Sequence, residues 1–163
     1  ADAIRFIQQY TEFGLKEKIP LTGFTIIDSL TMSALGKTAL GVISATTYTD
    51  TVDNPESRKF VANYQAKFKA LPDIFSDYGY VAARALDEAL KMTEGNTSDK
   101  YKLAEAMSKL KFDAPRGPFR MVPVVHNPIQ DIHICQVVES QGRVTSKVLT
   151  TVKDVQDPGK KIY

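Results

Sequence analysis

Apolar residues recur every three or four positions along much of the first 110 residues, a spacing that predicts amphipathic helices. Asn54-Pro55-Glu56 is a strong helix opening, because it combines an N-cap amide, a proline at the first helical position and an early acid. Gly36 and Gly95 are typical helix stops. The pattern predicts helices over residues 4–15, 29–35, 55–71, 76–93 and 98–110.

The segments between and after these helices predict strands. Residues 21–27 are short and apolar and predict a buried strand, and residues 41–48, which are apolar and β-branched, predict a second strand. Beyond Arg116-Gly117-Pro118 the apolar positions alternate, which predicts strands over residues 119–125, 131–139 and 143–152. The polar tail, residues 154–163, is expected to be extended on the surface. This order of elements is typical of an α/β fold.

The beginning of the chain is unusual for such a fold. A helix of an α/β unit normally follows the strand on which it packs. Here the helical pattern starts at Ile4, with no strand before it. The chain is therefore expected to be a fragment of a larger protein.

Tyr78-Gly79-Tyr80 is the stretch most suggestive of ligand binding. It follows Ser76-Asp77, where a helix is predicted to begin. Helix starts attract anions, because their backbone N–H groups are unpaired and carry partial positive charge. Two phenols beside such a start add hydroxyl donors and flat apolar faces. The stretch therefore predicts a seat for a small organic carboxylate, although tyrosines at this spacing also pack as half-buried core.

Composition narrows the classes of partner. A net charge of +2 is too small to indicate nucleic acid, and no nucleic-acid partner is expected. The basic cluster Lys109, Lys111, Arg116 and Arg120 is interpreted as solvated surface. No apolar run approaches the ~20 residues that cross a bilayer. The single cysteine, Cys135, excludes an intrachain disulfide.

The residue pattern offers no chemistry for catalysis. His133 and Cys135 lie two apart on one face of a predicted strand, but a zinc site needs three or four protein ligands at suitable geometry, and His126 is interpreted as a turn residue. There is no Gly-x-Ser-x-Gly elbow and no glycine-rich phosphate loop after a strand. The sequence therefore predicts neither an enzyme nor a cofactor or metal.

Several short motifs, in this order, resemble the second half of the periplasmic solute-binding proteins of the branched-chain amino acid (Leu/Ile/Val-binding) type, which are receptors of ABC importers. They are Ala34-Leu35-Gly36 with Gly41-Val42-Ile43, Asp53-Asn54-Pro55-Glu56 with Phe60-Val61 and Tyr64, Gly79-Tyr80 with Ala89-Leu90, Pro115-Arg116-Gly117-Pro118, and Asn127-Pro128-Ile129-Gln130-Asp131-Ile132 with Ile134 and Gln136-Val137. The resemblance covers essentially the whole chain.

The resemblance implies a receptor of two hinged lobes, of which this chain holds the three-layer α/β sandwich pieces of a type I periplasmic binding protein. Residues 1–48 would belong to the second lobe, 49–115 would be helices returning to the first, and 116–163 would be strands crossing back. The first half of the protein is absent, so the chain is expected to need the missing N-terminal half or a second chain as a partner. A small solute, a membrane permease and a periplasmic location are implied as well.

The same resemblance implies site residues. Tyr80 matches the family's cleft-facing tyrosine at a helix start, and Tyr48 matches a strand end at the hinge. Thr25 to Asp28 match a loop that often touches ligand, and an acid there pairs with the ammonium of amino-acid ligands. Asp28 is the candidate acid, but Phe24-Thr25 could occupy that place, and Asp28 could equally cap the helix at Ser29.

Without an acid in the cleft, the resemblance would favour an aromatic acid stacked on Tyr48, Tyr78 or Phe24. The sequence thus predicts a receptor that captures a small organic solute, either an amino acid or an aromatic carboxylate. The alternative is the ligand-sensing domain of a regulator or receptor with the same fold.

Overall fold

The computed structural model of the chain describes residues 2–123 and 125–159, which form helices and strands. In chain order the elements are α1 (Asp2–Glu12), β1 (Thr22–Phe24), α2 (Ser29–Leu35), a 3-10 turn (Gly36–Ala39), β2 (Ile43–Thr46), α3 (Pro55–Phe68), α4 (Ile74–Met92), α5 (Lys100–Ser108), β3 (Lys111–Ala114), β4 (Gly117–Met121), β5 (Pro128–Ser140) and β6 (Arg143–Val155). The predicted α/β class is confirmed.

One mixed sheet runs through the chain, in the order β1-β2-β5-β4-β3, with β6 pairing to β5. β1 and β2 are parallel, and the other pairs are antiparallel. β5 is the central strand: it pairs with β2 around Cys135, with β4 around Ile129, and with β6 along most of its length. It therefore connects the early strands to the hairpin of β3 and β4.

Local capping explains the helix boundaries. The Asn54 side chain accepts a hydrogen bond from the backbone N–H of Ser57 at 2.7 Å, and Pro55 begins α3 as predicted. The predicted start of α4 at Ser76 is wrong by two residues. Asp73 is the N-cap instead, and its Oδ1 accepts from the Ser76 N–H at 2.7 Å and from the Ser76 hydroxyl at 2.6 Å.

The main element that the sequence pattern missed is β3. Its four residues pair with β4, from Lys111 opposite Arg120 to Ala114 opposite Gly117. A strand this short shows no clear alternation, so only its partner reveals it. The predicted strand over residues 143–152 extends to Val155, and the part of the predicted tail from residue 160 onward lies outside the described residues.

The buried apolar residues form separate clusters. One joins α1, α2, the residue before β2, and β5 around Ile7, Leu35, Val42 and Val137. The others lie among α3, α4, α5 and the β3–β4 hairpin, with Phe60, Val81, Ala89, Leu110 and Phe119 as members. None of the helices in the described part of the chain is long and apolar enough to cross a bilayer.

Candidate functional site

Asp28 and Tyr48 line the same small cleft. Asp28 follows β1, Tyr48 follows β2, and residues 72–74 at the start of α4 close the cleft from the other side. Because β1 and β2 are parallel neighbours, the residues after their ends meet at one edge of the sheet. The cleft has a volume of about 30 Å³, room for a water molecule or two. It adjoins a wider groove of about 440 Å³ between α2 and the β5–β6 turn.

Asp28 caps α2, which is one of the two roles that the sequence left open. Its Oδ1 caps α2, accepting from the backbone N–H of Thr31 at 2.7 Å and from the Thr31 hydroxyl at 2.8 Å. The same side chain forms part of the cleft wall. The cap fixes the carboxylate in place and uses one of its two oxygens.

Two further acids line the cleft, and sequence reasoning assigned neither to it. Asp73 is the N-cap of α4, and Asp50 accepts hydrogen bonds on Oδ2 from both terminal nitrogens of Arg143, at 3.1 and 3.0 Å. Asp50 follows the end of β2 much as Asp28 follows the end of β1, and this parallel position was the available signal. The cleft wall is therefore anionic.

Tyr48 contributes a buried ring. It meets the ring of Phe60 edge-on, with centroids 6.0 Å apart, and packs in one cluster with Ile74. Its hydroxyl is buried and has no hydrogen-bond partner among the described residues. Burial is the main reason that the pKa of the Tyr48 phenol is raised above its usual value.

Tyr78 and Tyr80 lie one turn inside α4, not at its start, and neither lines the cleft. Tyr80 is 39% exposed, and its ring packs against Phe60 with centroids 4.8 Å apart. The hydroxyl of Tyr78 accepts a hydrogen bond from the Thr47 hydroxyl at 3.3 Å. The start of α4 already holds the Asp73 carboxylate, and this negative charge disfavours binding of a second carboxylate at the predicted anion site.

Thr25 and Phe24 also lie outside the cleft wall. Thr25 has a positive φ of 50°, and its N–H donates to the carbonyl of Ala45 at 2.8 Å, extending the pairing of β1 with β2. The side chain of Phe24 is 65% exposed at the end of β1. Of the six predicted site residues, the structure thus brings Asp28 and Tyr48 together.

A much larger cavity lies elsewhere. It measures about 920 Å³ and lies between the start of α3 and strands β4 to β6, with walls that include Val52, Asn54, His133, Thr145 and Lys147. None of the predicted site residues lines it.

Arg116 is buried, which corrects its interpretation as solvated surface. It is 5% exposed, and its Nε donates to Asp77 Oδ2 at 2.8 Å. Burial raises the pKa of the Asp77 carboxyl to about 6, although the neighbouring Arg116 charge acts in the opposite direction. Sequence alone offered no signal for this pair, because its members are 39 positions apart.

His133 and Cys135 do not form a metal centre with neighbouring residues. Among residues 2–123 and 125–159, no three His, Cys, Asp or Glu side chains come together as a potential metal site. The His133 ring instead bonds on both nitrogens, to the carbonyl of Arg116 and to the hydroxyl of Thr151, each at 2.9 Å.

The sequence model of the periplasmic binding protein family matches residues 1–143. The chain belongs to this family. It is 30% identical over 161 residues to the Leu/Ile/Val-binding protein homolog 6 of Brucella abortus (strain 2308), an alignment that covers 96% of this chain and 41% of the relative. The family predicted from the sequence is confirmed.

Solved structures of similar proteins agree. An ABC transporter substrate-binding protein from Sphaerobacter thermophilus superimposes with a TM-score of 0.88 at 36% identity, covering 94% of this chain and 42% of that one. A solute-binding protein from Rhodopseudomonas palustris BisB5, in complex with 3,4-dihydroxybenzoic acid, gives 0.87 at 31% identity, covering 97% and 44%. This chain therefore spans about two fifths of the length of the relatives it matches.

Proposed function

We propose that the chain is part of a periplasmic receptor that captures a small organic solute and presents it to the membrane permease of an ABC importer. The observation that carries the proposal is the cleft in which Asp28 and Tyr48 meet the start of α4. The names of the similar proteins, which are substrate-binding and solute-binding proteins of ABC transporters, support the same class. Binding would shift an equilibrium between open and closed arrangements of two lobes.

The proposed lobe boundaries are those expected from the resemblance. Residues 1–48 would belong to one lobe, 49–115 to the other, and 116–163 would cross back. The separate apolar clusters support this division, because one is built mainly from residues 7–42 and the others mainly from residues 48–119. The rest of the intact protein would supply the remaining walls of the cleft.

The chemistry of the cleft favours a solute that offers a hydrogen-bond donor to Asp28. One oxygen of Asp28 is used by the helix cap, and a carboxylate can accept further bonds on the other. The ammonium of an amino acid and the hydroxyl of a hydroxybenzoate are both donors of suitable size. A bare aromatic carboxylate offers none, and it would face an anionic wall made by Asp28, Asp50 and Asp73.

We also propose that the protein binds without catalysis. The carboxylates of the cleft already have structural partners: those of Asp28 and Asp73 accept helix N–H bonds, and that of Asp50 accepts from Arg143. They act as caps and as an ion-pair partner, which fits a site that holds a solute by fixed contacts.

A thermal-shift series on the intact protein tests the solute class. A ligand that binds only the folded state raises the unfolding midpoint by mass action. We expect L-leucine or 4-hydroxybenzoate to raise the midpoint at millimolar concentration and benzoate to raise it less. If benzoate raises the midpoint most, Asp28 does not accept a hydrogen bond from the solute as proposed.

The substitution Asp28→Asn sharpens this test. Asparagine is as good an N-cap as aspartate, so α2 keeps its cap while the charge is removed. Because a hydrogen bond to a charged group contributes about 1.5–3 kcal/mol, we expect the affinity for the stabilising solute to fall roughly 10- to 100-fold in calorimetry. Asp99→Asn is the matched control, since Asp99 caps α5 and does not line the cleft. Equal affinities of the two variants would contradict the proposal.

A further inference from the structure

Arg116 uses every edge of its guanidinium group inside the protein. Nε and one terminal nitrogen lie 2.8 and 2.5 Å from Asp77 Oδ2 on α4. The other terminal nitrogen donates to Gln130 Oε1 on β5 at 2.9 Å. Both charged side chains are buried, so these bonds are not exchanged with water. One side chain thus ties a helix to the central strand.

The face of the same guanidinium is also occupied. Its central carbon lies 4.8 Å from the centroid of the Tyr78 ring, a cation–π arrangement. The Tyr78 hydroxyl in turn accepts from Thr47, which is adjacent to the cleft residue Tyr48. Arg116 therefore fixes a second residue of α4, and through it the segment that follows β2.

The backbone of Arg116 carries a third connection. Its carbonyl can only accept, so the Nε2 atom of His133, 2.9 Å away, must carry the proton. The other ring nitrogen, Nδ1, is hydrogen-bonded to the Thr151 hydroxyl on β6 at 2.9 Å. These two hydrogen bonds, between Arg116 and His133 and between His133 and Thr151, connect the β3–β4 turn to β5 and β6.

We propose that Arg116 is the positioning residue that sets the orientation of α4 relative to the strands β2, β5 and β6, and with it the shape of the cleft. α4 and β5 are in contact with Arg116 directly, β6 through His133, and the segment after β2 through Tyr78. Its N–H groups are directed at Asp77 and Gln130, so Arg116 acts without touching a solute. The effect on solute binding rests on the proposed function, whereas the effect on orientation does not.

The backbone around Arg116 supports a fixed position. Pro115 and Pro118 restrict the turn, and Gly117 has a φ of 116°, which other residues rarely adopt. A Cβ atom on Gly117 would come within 3.0 Å of Asp131 Oδ2. The turn therefore has little freedom to follow a displaced side chain.

Distances between spin labels test the proposal on the intact protein without any solute. Labels on Lys37→Cys, in the 3-10 turn after α2, and Lys91→Cys, at the end of α4, would report the orientation of the two parts; both sites are exposed. Cys135 is buried, and burial raises the pKa of its thiol to about 11, so it should escape labelling.

The informative variant is Asp77→Leu combined with Arg116→Met, because replacing both members of a buried ion pair by apolar residues often preserves stability. We expect its thermal midpoint to stay close to that of the parent while its distance distribution broadens or shifts. Arg120→Met is the matched control, since it removes the same group from an exposed pair with Asp154 and should leave the distribution unchanged. An unchanged distribution in the double variant would overturn the proposal.

Arg116→Lys provides a second test that keeps the charge and does not depend on folding of the double variant. Lysine lacks both the planar fork and the face that stacks on Tyr78, so the distribution should broaden here too. Wild-type distances in this variant would equally overturn the proposal.

The effect of Arg116 on solute binding is tested with L-leucine and 4-hydroxybenzoate as probes. We expect the affinity of whichever probe stabilises the parent to fall about ten-fold in the double variant and to be unchanged in Arg120→Met. If neither probe binds the parent, the proposed function fails while the spin-label distances still decide the role of Arg116. If a probe binds all variants equally, the link between Arg116 and the cleft is refuted and the proposed function stands.

Discussion

Asp77 is a fully buried carboxylic acid on α4, and only one of its two oxygens has a hydrogen-bond partner among the described residues. Desolvation is the larger influence and raises its pKa from 3.8 to about 6, while Arg116 favours the ionised form. The pKa of the Tyr48 phenol is raised mainly by burial and also by the charge of Asp77. Burial therefore makes the ionised form of Asp77 costly in free energy.

This cost predicts an unusual dependence of stability on pH. Between about pH 4 and pH 6 the folded Asp77 binds a proton more tightly than the unfolded one, so its contribution to the free energy of unfolding rises as the pH falls. Relative to Asp77→Asn, the wild type should gain up to about 3 kcal/mol between pH 7 and pH 4. Urea denaturation at several pH values measures this difference. A wild type that loses stability relative to Asp77→Asn on acidification would show that Arg116 outweighs burial.

Single residues also show where sequence reasoning stops. The cap role of Asp28 could be predicted because Thr31 is only three positions away. The burial of Arg116 could not, because it depends on α4 and β5 meeting the β3–β4 turn. Arginine in a local run of basic residues is usually exposed, and only a distant carboxylate reverses that expectation.

At the scale of elements, α3 has the clearest local signal in the chain, and the structure adds a tertiary contact to it. The Asn54 side chain caps α3 through Oδ1 and also donates from Nδ2 to the carbonyl of Pro115 at 2.9 Å. Pro115 is among the most fully buried residues. One amide therefore both starts a helix and holds the β3–β4 turn against it.

Asn54→Ala should consequently cost more than the loss of a cap alone. A lost cap costs about 1 kcal/mol, and a buried carbonyl left without its partner costs roughly 1–3 kcal/mol more. Asp99→Ala removes only the cap of α5, which lies at the surface, and should cost about 1 kcal/mol. Equal losses in chemical denaturation would mean that the bond to Pro115 contributes nothing to stability.

Element boundaries were predictable where the capping residue had no competitor. Ser29 to Leu35 is a helix as predicted, because Asp28 precedes it and Gly36 ends it. The start of α4 was misplaced because Asp73 and Ser76 are both good N-caps, and the carboxylate of Asp73 binds Ser76 itself. Local propensity could not choose between them.

On the scale of the whole molecule, the buried apolar residues are divided between separate clusters. Ile7 lies in the cluster of α1, α2 and β5, whereas Leu110 lies in the cluster of α4 and α5. Both side chains are almost completely buried. The two clusters share no member residue, so each can be perturbed without direct contact with the other.

Ile7→Ala and Leu110→Ala should therefore be additive. Each should cost about 2–5 kcal/mol, because it removes buried methyl groups and leaves a cavity. In the double variant of the intact protein, the two losses should add to within about 0.5 kcal/mol. Urea denaturation followed by circular dichroism measures them. A large coupling energy would mean that β5 transmits strain between the clusters.

The sequence by itself determined the α/β class, most of the helices and strands, and the family, because these depend on local periodicity, caps and short motifs. The family resemblance also predicted Asp28 and Tyr48 as site residues, and the structure places them after adjacent parallel strands. The tertiary structure decided which candidates share a cleft, since Tyr78 and Tyr80 turn toward Arg116 and Phe60 instead. It alone showed the buried pair of Asp77 and Arg116, because residues 39 positions apart become neighbours only when helix and strand pack together.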